Sequence, residues 1–102
     1  MIAPRRFLPS INALLAFEAV ARLGSATQAA QELSLTQSAI SRQLKTLEAQ
    51  LNVPLLARQG RQLVLTEAGE SYVLQVRDVL NRLAQASISA RTNPMAGALN
   101  LA

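Results

Sequence analysis

A turn of only two residues, Ser34 and Leu35, separates two helical patterns near the middle of the chain. Before the turn, Ser25 and Gln28 form a capping box that predicts a helix over residues 26–33, because the serine hydroxyl and the glutamine amide satisfy backbone donors at its start. After the turn, Thr36 can cap a longer helix that continues to residue 51. A connection this short leaves the two helices packed against each other.

The longer of these helices has two chemically different faces. Its polar residues recur at positions i, i+1, i+4, i+5 and i+8, which fall on one strip of a helix. Large aliphatic residues fall on the opposite strip and can anchor the helix to a core. One face can therefore hold the fold while the other enters a groove of DNA. The polar strip comprises Gln37, Ser38, Ser41, Arg42 and Lys45, and the apolar strip comprises Ile40, Leu44, Leu47 and Leu51.

Elements on both sides complete a small domain. Ser10 is a candidate cap for a first helix that ends at Gly24, where a left-handed stop is predicted. Beyond the longer helix, two short apolar arms flank a glycine-containing turn at residues 59–61, which predicts a β-hairpin, or wing. We expect Arg58 and Arg61 at its tip, where guanidinium groups suit phosphate oxygens or a narrow minor groove.

A fourth helix is predicted to follow Thr66, with Glu67 and Glu70 in the first turn, where the helix dipole favours anions. It carries an apolar seam that so small a domain cannot fully cover. Part of the seam is expected to pack on the same subunit, and the remainder predicts a partner helix in a dimer. The seam consists of Tyr72, Val73, Val76, Val79, Leu80 and Leu83.

Composition excludes several kinds of chemistry. The chain lacks cysteine and histidine, which removes disulfides, thiolate nucleophiles, zinc–cysteine sites and imidazole bases. Its carboxylates are scattered at surface-like helical positions, so we predict no catalytic residue, no metal site and no cofactor. The net charge of +4 fits a polyanionic partner or a membrane surface. No apolar run is long enough for export or for a membrane span, and we expect a cytoplasmic protein.

Six short segments between residues 29 and 69 form one joint signature. They are Ala29-Ala30-Gln31-Glu32-Leu33, Thr36-Gln37-Ser38-Ala39-Ile40-Ser41-Arg42-Gln43-Leu44, Leu47-Glu48, Val53-Pro54-Leu55-Leu56, the pair Arg58 and Arg61, and Leu65-Thr66-Glu67-Ala68-Gly69. Their order and spacing resemble the DNA-binding region of LysR-type transcriptional regulators. The opening Leu8-Pro9-Ser10, with Asn12-Ala13-Leu14 and Ala16-Phe17-Glu18, resembles the members grouped with the glycine-cleavage activator.

The resemblance implies a mainly α fold: a winged helix-turn-helix of three helices and a small β-hairpin wing, followed by a long dimerisation helix. It implies a DNA-binding domain over residues 1–66, a linker helix over 67–93, and a hinge over 94–102 that begins an effector-binding domain. A homodimer, a tetramer of the full-length protein, and a small-molecule effector held by that further domain are also implied. The expected location is the bacterial cytoplasm, at the nucleoid.

The family pattern usually has phenylalanine where this chain has Ala26 and Leu56. We therefore expect other side chains to fill the space between the second helix, the wing and the core.

Carried over by position, the resemblance places DNA contacts at Gln37, Ser38, Ser41, Arg42, Arg58 and Arg61. Chemistry divides the roles: a Gln37 amide can pair with adenine N6 and N7, and an Arg42 guanidinium with guanine O6 and N7. The hydroxyls of Thr36, Ser38 and Ser41 suit phosphates, as does Lys45 farther along the helix.

Two alternatives remain open. The polar strip and the wing arginines can be no more than solvated surface. The scaffold can also serve as a protein-interaction module that dimerises without reading DNA, because a fold does not dictate a function. That second function predicts no role for Arg42, and an enzyme is the least favoured class.

Overall fold

The computed structural model describes residues 5–92, apart from the side chain of Arg6. It confirms the mainly α, winged helix-turn-helix architecture, with a long helix after the wing. A short 3-10 turn spans Arg5–Phe7, and the remaining elements are α1 (Ile11–Leu23), α2 (Ala26–Leu33), α3 (Gln37–Leu51), β1 (Leu56–Gln59), β2 (Gln62–Leu65) and α4 (Glu67–Thr92).

The predicted helix boundaries follow from side-chain caps. The hydroxyls of Ser10, Ser25 and Thr36 each accept the backbone N–H three residues later at 3.1 Å. α1 ends at Gly24, whose φ of 72° is the left-handed conformation predicted there. α3 ends at Asn52, also left-handed at φ 56°.

The core lies where α1 crosses α2, α3 and α4. Phe17 is fully buried, and its ring centroid lies 5.7 Å from that of Tyr72 on α4. The apolar strip of α3 faces inward as predicted, and Ile40 and Leu47 have no exposed surface. Ala26 and Leu56, which replace the expected phenylalanines, are half-buried against the edge of the core among other aliphatic side chains.

The wing is a two-stranded antiparallel sheet in which Leu56 pairs with Leu65 and Gln59 with Gln62. The connection therefore consists of two residues, Gly60 and Arg61, and Gly60 has a φ of +64°. The expectation that Arg58 lies at the tip needs correction. It belongs to β1, because the strand pairing continues past it to the two-residue turn.

The base of the wing is fixed by the elements around it. The Leu63 N–H donates to the Gly24 carbonyl at 3.1 Å, which ties β2 to the turn between α1 and α2. The Thr66 N–H donates to the Leu55 carbonyl at 3.0 Å. A Cβ added at Gly69 would lie 2.1 Å from that carbonyl oxygen, so α4 can pass this close only with glycine there.

α4 is about 39 Å long at 1.5 Å per residue, and only its first half packs on the domain. The last buried residue is Val76, and every residue from 81 to 92 is exposed. No helix in the described range 5–92 has the length and apolar character needed to span a membrane. Residue 93, predicted to end the linker helix, and the predicted hinge over 94–102 lie outside the described residues.

Candidate nucleic-acid interface

The polar strip of α3 is an accessible surface. Its five residues line one shallow depression on the outside of the domain, and no other residue contributes to that lining. Ser41 is half-buried, and the other four are exposed. Since Ile40, Leu44 and Leu47 are buried on the opposite side, packing fixes the helix with this strip outward.

The hydroxyls at the start of α3 are already engaged within the protein. Thr36 Oγ1 accepts the Ala39 N–H at 3.1 Å and lies 3.3 Å from Ser38 Oγ. Thr36 is therefore first of all the cap of α3. Both hydroxyls remain exposed at a helix N-terminus, where the backbone dipole attracts anions.

A contact from outside α3 holds the side chain of Gln37. The Thr27 hydroxyl, on α2, donates to Gln37 Oε1 at 3.1 Å. This contact cannot be predicted from the sequence, because spacing within one helix does not show which residue of the preceding helix lies beside it. The structure thus adds Thr27 to the surroundings of the polar strip.

The basic side chains of the candidate interface have no anionic partner inside the described part of the chain. Arg42 and Lys45 on α3, and Arg58 and Arg61 on the wing, are exposed and form no ion pair there. These cations are therefore available to phosphate groups.

Several carboxylates are paired on another part of the surface. Arg22 donates to Glu18 at 3.1 Å and to Glu32 at 2.9 Å, and Arg77 of α4 donates to Glu18 at 3.1 Å. Hydrogen bonds from Arg22, and then from Arg77, lower the pKa of Glu18 against an opposing effect of burial. The Arg22 hydrogen bond likewise lowers the pKa of Glu32.

Glu48 connects α3 to the wing. Its Oε2 accepts the Leu55 N–H at 2.7 Å and the Leu56 N–H at 3.1 Å. The sequence pattern predicts a surface-like position for this carboxylate, but the residue is half-buried and binds backbone. It couples the position of the wing to that of the polar strip.

The apolar seam of α4 divides into two parts. Val73 and Val76 are each 3% exposed within the domain's own core, so they have almost no surface left to bury against a partner. Both therefore belong to the domain's own core and not, as predicted, to the dimer surface. Val79 and Leu83 are 49% and 46% exposed, and Tyr72 and Leu80 are half-buried.

Two residues, one just before α1 and one at its first position, extend this remaining surface. Leu8 and Ile11 are exposed and line a groove together with Tyr72 and Val79. Neither residue follows from the apolar spacing within α4. Their apolar character was visible, but only the packing of α4 against α1 brings them beside the seam.

Nothing in the described residues assembles into a metal site, since no three acidic side chains there lie close enough to hold an ion. The chain also contains no cysteine or histidine that could supply softer ligands.

Comparison with known proteins agrees with this geometry. The family model described as bacterial regulatory helix-turn-helix protein, lysR family, matches residues 11–70. The glycine cleavage system transcriptional activator of Escherichia coli (strain K12) is 43% identical over 94 residues. That match covers 92% of this chain and 31% of the activator, so the chain spans about a third of this curated relative.

Solved structures show the same likeness. The DNA-binding domain of CbnR in complex with DNA superimposes with a TM-score of 0.76 at 35% identity, over 80% of this chain and 94% of that one. The BenM DNA-binding domain in complex with catB site 1 DNA superimposes with a TM-score of 0.77 at 30% identity, over 83% of this chain and 97% of that one. With more than half of its residues matched by the family model and its fold shared with these domains, the chain belongs to the LysR family of bacterial regulatory helix-turn-helix proteins.

Proposed function

We propose that this chain is the DNA-binding part of a transcriptional regulator that recognises an inverted-repeat operator as a dimer. The observation that carries the proposal is the outward polar strip of α3, which is held by a buried aliphatic strip. Its cations Arg42 and Lys45 form no ion pair within residues 5–92. The CbnR and BenM domains that share the fold were crystallised with DNA, which supports the same role here.

The proposed contacts divide by chemistry. Arg42 can donate two hydrogen bonds to guanine O6 and N7, and such a pair discriminates by about 1–3 kcal/mol. Thr36, Ser38 and Ser41 lie at or near the N-terminus of α3 and suit phosphate oxygens. Lys45, Arg58 and Arg61 add salt-sensitive affinity, Arg61 from the turn of the wing and Arg58 from strand β1.

We also propose the arrangement of the whole protein. The DNA-binding domain covers residues 1–66, the dimerisation helix 67–93, and a hinge 94–102 leads to an effector-binding domain. The dimer surface comprises Tyr72, Val79, Leu80 and Leu83 on α4, extended by Leu8 and Ile11. The full-length protein is then a cytoplasmic, non-enzymatic tetramer whose small-molecule effector binds outside this chain.

Two substitutions test the proposed function. The wild-type operator is first selected from a random duplex library, and binding is then measured at fixed salt against a scrambled duplex. Arg42→Ala is expected to lower discrimination between the two duplexes by about 5- to 150-fold. Lys45→Ala, a matched loss of one positive charge on the same helix, is expected to weaken binding to both duplexes about equally.

The outcome also decides between DNA reading and a protein-interaction module. If wild-type protein prefers no duplex at any salt concentration, the proposed function is wrong. If Arg42→Ala and Lys45→Ala weaken operator and scrambled duplex alike, Arg42 does not read a base.

A further inference from the structure

We infer that Thr27, which lies on α2 and outside the polar strip, determines which base Gln37 recognises. The inference rests on the proposed function, because it concerns how one residue of the DNA-reading surface is oriented. It assigns Thr27 a positioning role that acts through Gln37.

The geometry is a single hydrogen bond between two exposed side chains. Thr27 Oγ1 donates to Gln37 Oε1 at 3.1 Å, and Gln37 lines the depression of the polar strip whereas Thr27 does not. The side-chain amide is planar, so holding its oxygen toward α2 turns its nitrogen away from Thr27. Gln37 is therefore held with its NH₂ group away from α2.

This orientation changes what Gln37 can read. A glutamine whose amide is unconstrained reads adenine with both ends, donating to N7 and accepting from the N6 amino group. Here one lone pair of Oε1 is used by Thr27, and the direction of the other is fixed with the amide plane. The NH₂ group remains as a donor, and guanine offers it two acceptors, O6 and N7.

The structure therefore reverses the adenine preference expected for Gln37 from its residue type. With the Thr27 hydroxyl present, Gln37 favours a guanine. Without it, the amide rotates freely and adenine becomes the better partner. A change of residue on α2 would thus alter specificity without any change on α3.

Three single variants and one double variant test this assignment. Thr27→Val keeps the β-branched shape and removes the donor, whereas Thr27→Ser keeps the donor. Thr46→Val is the matched control, since Thr46 is exposed on α3 and makes no side-chain hydrogen bond in the described chain. Each protein is assayed on duplexes that carry all four bases at every position of the selected operator.

Thr27→Val is expected to raise the ratio of adenine to guanine binding about fivefold or more at one position of each half-site. Other positions should not change, and Thr27→Ser and Thr46→Val should match wild type. Adding Gln37→Ala should abolish the effect of Thr27→Val, because the two residues act through one contact. A purely structural role for Thr27 would not alter one base position alone.

Contrary results are distinguishable from failure of the proposed function. If wild type selects an operator but Thr27→Val has the wild-type base profile, the inference is wrong and the proposed function stands. If Thr27→Val loses affinity equally for all duplexes, the inference is also wrong. If wild type selects no sequence at all, the proposed function fails first.

Discussion

Glu48 and Leu55 join helix α3 to the wing, because the carboxylate accepts the Leu55 N–H at 2.7 Å. The same oxygen accepts the neighbouring Leu56 N–H at 3.1 Å. Two backbone donors at the start of the hairpin are thus satisfied by one side chain of the helix that carries the polar strip. The spacing between the two proposed DNA-contacting elements depends on this contact.

Removing that carboxylate should loosen the wing. Glu48→Ala leaves two part-buried N–H groups without a partner, and we expect the free energy of unfolding to fall by about 1.5–3 kcal/mol. Glu48→Gln keeps one acceptor oxygen and should cost less. Urea denaturation measures the loss, and amide hydrogen exchange should show Leu55 and Leu56 losing more protection than their neighbours. Equal protection changes throughout the domain would contradict the assignment.

Gly69→Ala should destabilise the domain although it lies within a helix. At an exposed helical site the same change stabilises by about 1 kcal/mol. At this position the new Cβ would lie 2.1 Å from the Leu55 carbonyl oxygen, and we expect a loss of at least about 1–3 kcal/mol from the displaced backbone.

Ser71→Ala is the matched control, because Ser71 is exposed on the same helix. It should leave the melting temperature unchanged or raise it. A Gly69→Ala protein as stable as wild type would show that α4 and the wing do not approach as closely as described.

Stability should depend on Glu18 in acid. Arg22 and Arg77 hold the pKa of this carboxyl below its ordinary value of 4.5. At a pH between the pKa of the folded state and 4.5, the unfolded chain binds more protons than the folded one. The stabilisation is therefore complete above pH 4.5 and is lost as pH falls through the pKa of the folded state. Urea denaturation between about pH 7 and pH 3 should therefore show a shallower acid decline for Glu18→Gln than for wild type. If stability falls equally with pH in both proteins, Glu18 makes no such contribution.

Leu83→Glu should shift the protein from dimer to monomer without unfolding it. Leu83 is 46% exposed and lies on the same strip of α4 as Val79. Leu74, which is 65% exposed, is nine residues away and therefore points to the opposite side of the helix. Sedimentation should thus show monomer for Leu83→Glu and dimer for Leu74→Glu. The same assembly state for both variants would place the interface elsewhere.

Local signals in the sequence were sufficient to predict most of the fold. Ser10, Ser25 and Thr36 cap the helices where expected, because capping depends on residues three positions apart in the chain. Gly24 ends α1, and its carbonyl also accepts a hydrogen bond from β2, which no local pattern contains. The sequence pattern places Gln59 in the turn of the wing. The residue instead pairs with Gln62 and ends β1, so the turn has two residues.

The candidate site was predictable only in part. Helical spacing placed Gln37, Arg42 and Lys45 on one strip, and they line one depression. The contributions of Thr27 and Glu48 were not predictable, since each acts on a residue from another element. Spacing along α4 likewise does not distinguish the buried valines from the exposed one, because their burial depends on which part of α4 packs against α1.

The exposed second half of α4 determines how far the molecule extends from its core. Residues 81–92 add about 18 Å of helix in which every side chain contacts solvent. The first half, which packs on the domain through Val73 and Val76, supplies the nucleus, so each further turn requires only the nearly neutral step of propagation. A neighbour packed beside such an arm stabilises its distal turns, which fray first because they lie farthest from the nucleus. How far it reaches is therefore decided by its neighbour as much as by its own residues.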